Sequence, residues 1–142
     1  MYRFLDCTVD KYMSREVETV TRNATLRELE VLFERHDFNA FPVLENGSVL
    51  GLVTKFDLLR SFAFTTSQVV PHYDELMRRT VGEVMTEAVV HVEPAVPLTR
   101  VLQLMVSLKA RSLPVLDSNR KLVGMISRED IMRALRESTQ RT

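Results

Sequence analysis

The sequence predicts an α+β fold (α/β-like) of two pseudo-twofold-related β-α-β-β-α units packed through their sheets. Three observations predict it. First, sliding the 142-residue chain along itself by 72 positions aligns Thr8 with Thr80, Met13 with Met85, Val20 with Val92, Leu26 with Leu98, Pro42 with Pro114 and Val43 with Val115. After a slip of one residue, Gly51 aligns with Gly124, Thr54 with Ser127, Asp57 with Asp130 and Arg60 with Arg133. Second, apolar spacing within each copy switches between the helical and the strand period. Third, each copy carries a turn between two apolar runs, and the slip falls in that turn, where an insertion costs least. A repeat of this length is a duplicated supersecondary unit. One unit alone has a sheet too small to cover itself, so two should pack together.

The elements follow in order. Thr8 and Thr80 each announce a short helical turn, the second with Glu83 placed for a capping box. Val17–Val20 and Val89–Val92 read as leading strands. Thr25 with Glu28 opens a helix whose apolar face is Leu26, Leu29, Leu32 and Phe33. Pro97 suits the first position of the equivalent helix, which carries Leu98, Val101, Leu104 and Met105. Phe41–Leu44, the Asn46-Gly47 turn and Val49–Thr54 form a hairpin, because Asn-Gly tolerates the positive φ of a tight turn. Leu113–Leu116, a longer turn through Asp117, and Leu122–Ser127 form the second. Closing helices run from Lys55 to about Arg60 and from Arg128 to about Arg136. The first unit thus spans residues 1–60 and the second 80–142. The connecting segment, 61–79, holds Phe62, Phe64, Val69, Val70, Pro71, Tyr73 and Met77, too apolar for a loose tether.

Composition bounds the function. Basic and acidic residues balance at 19 each, which argues against nucleic acid or an anionic membrane as partner. A single Cys7 excludes an internal disulfide and a cysteine zinc cage, and fits a reducing compartment. No apolar run approaches a membrane span and the start lacks a signal peptide's apolar stretch, so the expected location is cytoplasmic. His36, His72 and His91 stand apart, without metal-ligand spacing. No nucleophile elbow, Walker loop or paired catalytic carboxylate is present, and no catalysis is expected.

The informative segments are Gly51–Asp57 and Gly124–Asp130. In each a strand ends in a hydroxyl residue, a helix starts, and an Asp lies three positions on. That spacing makes a capping box. It also leaves free N–H groups and a hydroxyl to meet a phosphate, with a carboxylate to accept from a ribose diol. Both roles can coexist.

The duplicated V-x-x-x-M element, the F-P-V-L and L-P-V-L strands and the repeated Gly-to-Asp termini resemble a tandem cystathionine-β-synthase (CBS) domain pair, or Bateman module, of stand-alone type. The resemblance runs from about Thr8 to Leu135. It implies a non-catalytic regulatory module, commonly a homodimer, that binds AMP, ADP or ATP, or else NAD or S-adenosylmethionine, in clefts shared by the two units. It implies further that Thr54, Lys55 and Asp57 work with Val90, Ala110 and Arg111, and that Ser127, Arg128 and Asp130 work with Glu18, Phe38 and Asn39. Arg111 favours a phosphate in the first group and Glu18 opposes one in the second, so unequal affinities are expected. The regulated partner would be an enzyme or transporter on another chain. The alternative is a ligand-free dimerisation or scaffold module in which the two Asp residues are caps only.

Overall fold

The computed structural model describes residues 2–63, 73–87 and 90–139. A 3-10 helix (Tyr2–Asp6) precedes α1 (Val9–Tyr12), α2 (Leu26–Arg35), β1 (Ala40–Glu45), β2 (Ser48–Thr54), α3 (Lys55–Arg60), α4 (Tyr73–Met77), α5 (Val81–Val84), β3 (Thr86–Glu87), α6 (Leu98–Leu108), β4 (Ser112–Leu116), β5 (Leu122–Ser127) and α7 (Arg128–Thr139). The chain divides into two compact units, one continuous (Glu18–Val89) and one assembled from Met1–Val17 with Val90–Thr142. Relative to the sequence repeats, the units exchange their first elements.

Backbone hydrogen bonds make the exchange, and make it twice. In the continuous unit Val81 N donates to the Ala24 carbonyl (2.8 Å) and Leu26 N to that of Arg79 (2.9 Å). In the other, Val9 N donates to Val96 (3.0 Å) and Leu98 N to Cys7 (2.9 Å). The chain beyond the Val-to-Met turn then lies beside a hairpin. Thr86 and Glu87, not expected as a strand, pair with Leu52 and Gly51 to complete the sheet β1-β2-β3. Ser14 and Met125 exchange bonds of 2.8 and 2.9 Å in the same manner.

This close approach explains the repeated glycines. A Cβ on Gly51 would lie 2.1 Å from the Thr86 carbonyl oxygen, and one on Gly124 2.7 Å from that of Ser14. No side chain fits at either distance. The glycine after the first hairpin strand has a different reason: Asn46 (φ 53°) and Gly47 (φ 80°) both adopt the positive φ of a primed turn.

The expected leading strands shrink to single bridges, Val20 to Val43 and Val92 to Val115, and Val89 lies outside the described residues. Val20 N donates to the Pro42 carbonyl (3.0 Å) and Leu44 N to that of Val20 (2.9 Å). Extending that parallel ladder one step back would require residue 42 to donate an N–H to the Glu18 carbonyl. Proline has none. Pro114 stops the ladder at Val92 in the same way, before Val90.

Capping divides similarly. Thr25 and Glu28 form the expected reciprocal box. Thr80 precedes α5 but makes no side-chain cap: Glu83 N donates to the Thr80 carbonyl (3.1 Å), and the Glu83 carboxylate is taken by Arg79 Nε at 2.9 Å. Thr8 also makes no cap and turns its hydroxyl to Asp10. Pro97 is the N-cap of α6 rather than its first residue. α7 continues to Thr139, past the expected Arg136.

Each unit has its own core. Val20, Leu26, Leu29, Phe41, Val43, Val53, Met77, Val81 and Val84 fill the continuous one. Phe4, Val9, Met13, Leu98, Val101, Met105, Leu113, Val115, Ile126 and Ile131 lead the other. At the described end of the connecting segment, Met77 is buried and Tyr73 donates to Glu30 (3.0 Å). Phe64, Val69, Val70, Pro71 and His72 lie outside the described residues.

Candidate functional site

Both Gly-to-Asp segments fold as a strand passing into a helix. At the end of β2, Thr54 is extended (φ −109°, ψ 165°), which frees its hydroxyl to reach over the first turn of α3. Asp57 N donates to Thr54 Oγ1 (3.0 Å), and Thr54 N donates to Asp57 Oδ2 (2.9 Å). The other carboxylate oxygen, Oδ1, accepts from Arg60 Nη2 at 3.0 Å. Asp57 is only 3% exposed, so this pairing matters: a buried carboxylate needs both partners and charge compensation.

The second junction repeats the design. Ser127 N donates to Asp130 Oδ2 (2.9 Å) and Asp130 N to Ser127 Oγ (3.3 Å). Arg133 Nη1 donates to Asp130 Oδ1 at 3.3 Å. Among the described residues no buried side-chain nitrogen or oxygen lacks a partner. Both carboxylates are therefore caps, fully accommodated in the chain by itself. Each still has lone pairs to offer, since an ionised carboxylate accepts about four hydrogen bonds.

The walls gather within each unit. Lys55 N donates to the Asn39 carbonyl (3.0 Å), seating the first junction beside Phe38 and Asn39. His36 stacks on Phe38 with centroids 5.7 Å apart, and its Nε2 lies 3.9 Å from Glu18 Oε1. In the other unit Arg128 N donates to the Arg111 carbonyl (3.0 Å) and Arg128 Nε to that of Ala110 (3.0 Å). Val90 and Arg111 are exposed there. Each unit thus brings together the carboxylate and the wall residues of one and the same repeat: Thr54, Lys55 and Asp57 with Glu18, Phe38 and Asn39; Ser127, Arg128 and Asp130 with Ala110 and Arg111.

Sequence reasoning overlooked Arg60 and Arg133. The signal was available: a cation three residues beyond an Asp on a helix lies on the same face, and here that spacing occurs in both repeats. Among the described residues no group of three or more His, Cys, Asp or Glu is placed to hold a metal, and no helix is long and apolar enough to cross a membrane.

Comparison with known proteins completes the picture. The CBS domain family model matches residues 9–63 and 81–137. The CBS domain-containing protein YhcV of Bacillus subtilis is 33% identical over 125 residues, covering 87% of this chain and 82% of YhcV. Against two other relatives, MJ1225 of Methanocaldococcus jannaschii and a homoserine O-acetyltransferase of Methanohalobium evestigatum, the match spans only 46% and 24% of their length. Among solved structures, CBSX2 of Arabidopsis thaliana, determined in complex with AMP, superposes with a TM-score of 0.77 at 25% identity, covering 93% of this chain and 98% of CBSX2. The CBS domain pair of MJ0100, in complex with 5′-methylthioadenosine and S-adenosyl-L-methionine, shares the fold at a TM-score of 0.78 and 22% identity over 93% of this chain and 98% of that one. With both repeats matched and the fold shared, the chain belongs to the CBS domain family.

Proposed function

We propose that this chain is a non-catalytic regulatory module that binds an adenosine-containing ligand, with Asp57 and Asp130 accepting from the ribose hydroxyls. The observation that carries the reading is the duplicated junction. Twice, a hydroxyl residue and a carboxylate are fixed at a helix start, with an exposed cation (Lys55, Arg128) directly between them in sequence. The AMP complex of the related CBSX2 supports the ligand class. A ligand that favours one arrangement of the chain would shift its population, and so signal to a partner enzyme or transporter.

Two refinements belong to the proposal. Arg111 adds a cation to one set of wall residues, where Glu18 adds a carboxylate to the other, so the two ligand positions bind with unequal affinity. The module is a homodimer in the cytoplasm. What supports the dimer is exposed apolar surface on the helices that follow and precede the hairpins: Phe56 and Leu59 on α3, Leu102 and Val106 on α6, Met132 on α7.

The test is titration calorimetry with AMP, ADP, ATP and S-adenosylmethionine, on a sample whose mass is read by sedimentation. Asn at either Asp position keeps the shape and an acceptor for the cap but loses the charge. Asp57→Asn and Asp130→Asn should each weaken one AMP site about tenfold or more. Alanine is the poorer probe, because it also removes a buried cap. The scaffold alternative is favoured by the fact that both carboxylates already cap a helix and pair with an Arg in the free chain. It prevails if the dimer forms and none of the four ligands binds.

A further inference from the structure

Arg133 does more than balance a charge. α7 sets Asp130 and Arg133 three residues apart, and the guanidinium spans two elements that are distant in sequence. Nη1 donates to Asp130 Oδ1 (3.3 Å), while Nη2 donates to the Tyr12 carbonyl (2.9 Å). Tyr12 ends α1, so this carbonyl is one that a helix leaves without an internal partner. The guanidinium carbon lies 5.3 Å from the centre of the Tyr12 ring, whose hydroxyl donates to Glu137 Oε1 (3.2 Å). Burial, reinforced by that carboxylate, holds the Tyr12 phenol above its ordinary range, so it stays a donor. Glu137 Oε2 in turn lies 3.8 Å from Arg133 Nε.

Among the described residues the other repeat lacks this tie. Arg60 reaches Asp57 (3.0 Å), but its guanidinium lies 5.9 Å from the ring of Phe56 on its own helix. The residue equivalent to Tyr12 is Val84, with neither ring nor hydroxyl. Among the described hydrogen bonds Arg60 donates to no backbone carbonyl.

We propose that Arg133 is a positioning residue through which ligand binding at Asp130 and docking of the N-terminal segment 8–17 reinforce each other. The proposal rests on the nucleotide reading above. The guanidinium is a planar fork, so its two arms cannot serve the carboxylate and the carbonyl independently. A ribose that fixes the Asp130 carboxylate fixes the fork, and the fork fixes the end of α1. Linkage then requires the converse: a docked segment holds Asp130 ready for the ligand.

The experiment uses the full chain and AMP. Calorimetry gives affinity, and amide hydrogen exchange gives the protection of residues 8–17, where Met13 and Ser14 donate to Val9 and Met125. In the wild type, saturating AMP should slow exchange across 8–17. R133Q should weaken one AMP site about tenfold and abolish that slowing. R60Q should weaken the other site and leave the slowing intact, which a general loss of stability would not do. R133K, a point charge with no fork, should recover part of the affinity without the slowing. An R133Q protein with wild-type affinity and slowing overturns the inference alone, and if R133Q does not fold, persistence of the slowing in R133K does so. If AMP does not bind, whichever of ADP, ATP and S-adenosylmethionine does takes its place in these measurements, and a wild type that binds none of the four overturns the nucleotide reading and this inference with it.

Discussion

The continuous unit and the assembled one build the same frame from different material. Leu26, Val43 and Val81 of one correspond to Leu98, Val115 and Val9 of the other, all fully buried. Around them the fill diverges. The continuous unit packs rings: Phe33 on Phe41 (4.8 Å between centroids), Phe38 edge-on to Phe41 (5.9 Å), His36 on Phe38. Its counterpart has Met105, Leu113, Ala110 and Leu108 at those positions, and gains bulk from Phe4 and from a closing helix of 12 residues against 6. The frame is therefore set by backbone pairing and by the small aliphatic positions. The large side chains are interchangeable so long as volume is conserved.

Three pairs of substitutions would break or sharpen that comparison, the first two with one member in each unit and the third within the continuous unit, and urea unfolding reads all of them. The largest effect is expected at the ring cluster. Phe41→Ala should cost about 4 kcal/mol, against about 3 kcal/mol for Leu113→Ala, because more contact is lost where rings pack on rings. An equal or reversed order would mean that neither the larger volume of Phe41 nor its ring contacts add to its cost. Next come the glycines. Gly51→Ala drives a Cβ into a sheet carbonyl and should cost roughly 2–4 kcal/mol. Gly124→Ala should cost less, since its obstruction is milder and includes the movable Met13 side chain. If both are silent, the close approach of the exchanged segments is wrong. The smallest effect separates the caps: Thr25→Ala should lose about 1 kcal/mol, and Thr80→Ala should stay within about 0.5 kcal/mol of wild type.

What could be read in the sequence was what is local. The Asn46-Gly47 hairpin, the Thr25 box and the start of α3 at Lys55 depend on residues within a few positions of one another, and they stand as expected. Neighbours in space left no such trace. The valines of Val17–Val20 favour a strand, but Pro42, more than twenty residues on, limits the pairing to one residue. Thr80 and Glu83 have capping-box spacing, yet Arg79 claims the glutamate. At the candidate site the sequence identified the carboxylates and their hydroxyl partners. It did not reveal that each carboxylate is already held by an Arg, nor which wall residues share a unit with it. The glycines were visible as a repeat, but their purpose lay in a strand from the other repeat.

The exchange of first elements also sets an order of events in time. The Glu18–Val89 unit is uninterrupted, so all of its contacts can form as soon as that stretch is available. The other unit needs its first 17 residues and its last 53 together, which closes a long loop and raises the entropic cost of nucleation. On a ribosome adding ~5–20 residues per second, the opening segment would wait several seconds, its partner strand unmade, while its neighbour in sequence folds. During that interval Phe4, Val9 and Met13, later buried, face solvent or a chaperone. The contiguous half is thus the natural nucleus, and the opening segment the part of the newborn chain most exposed to misassociation.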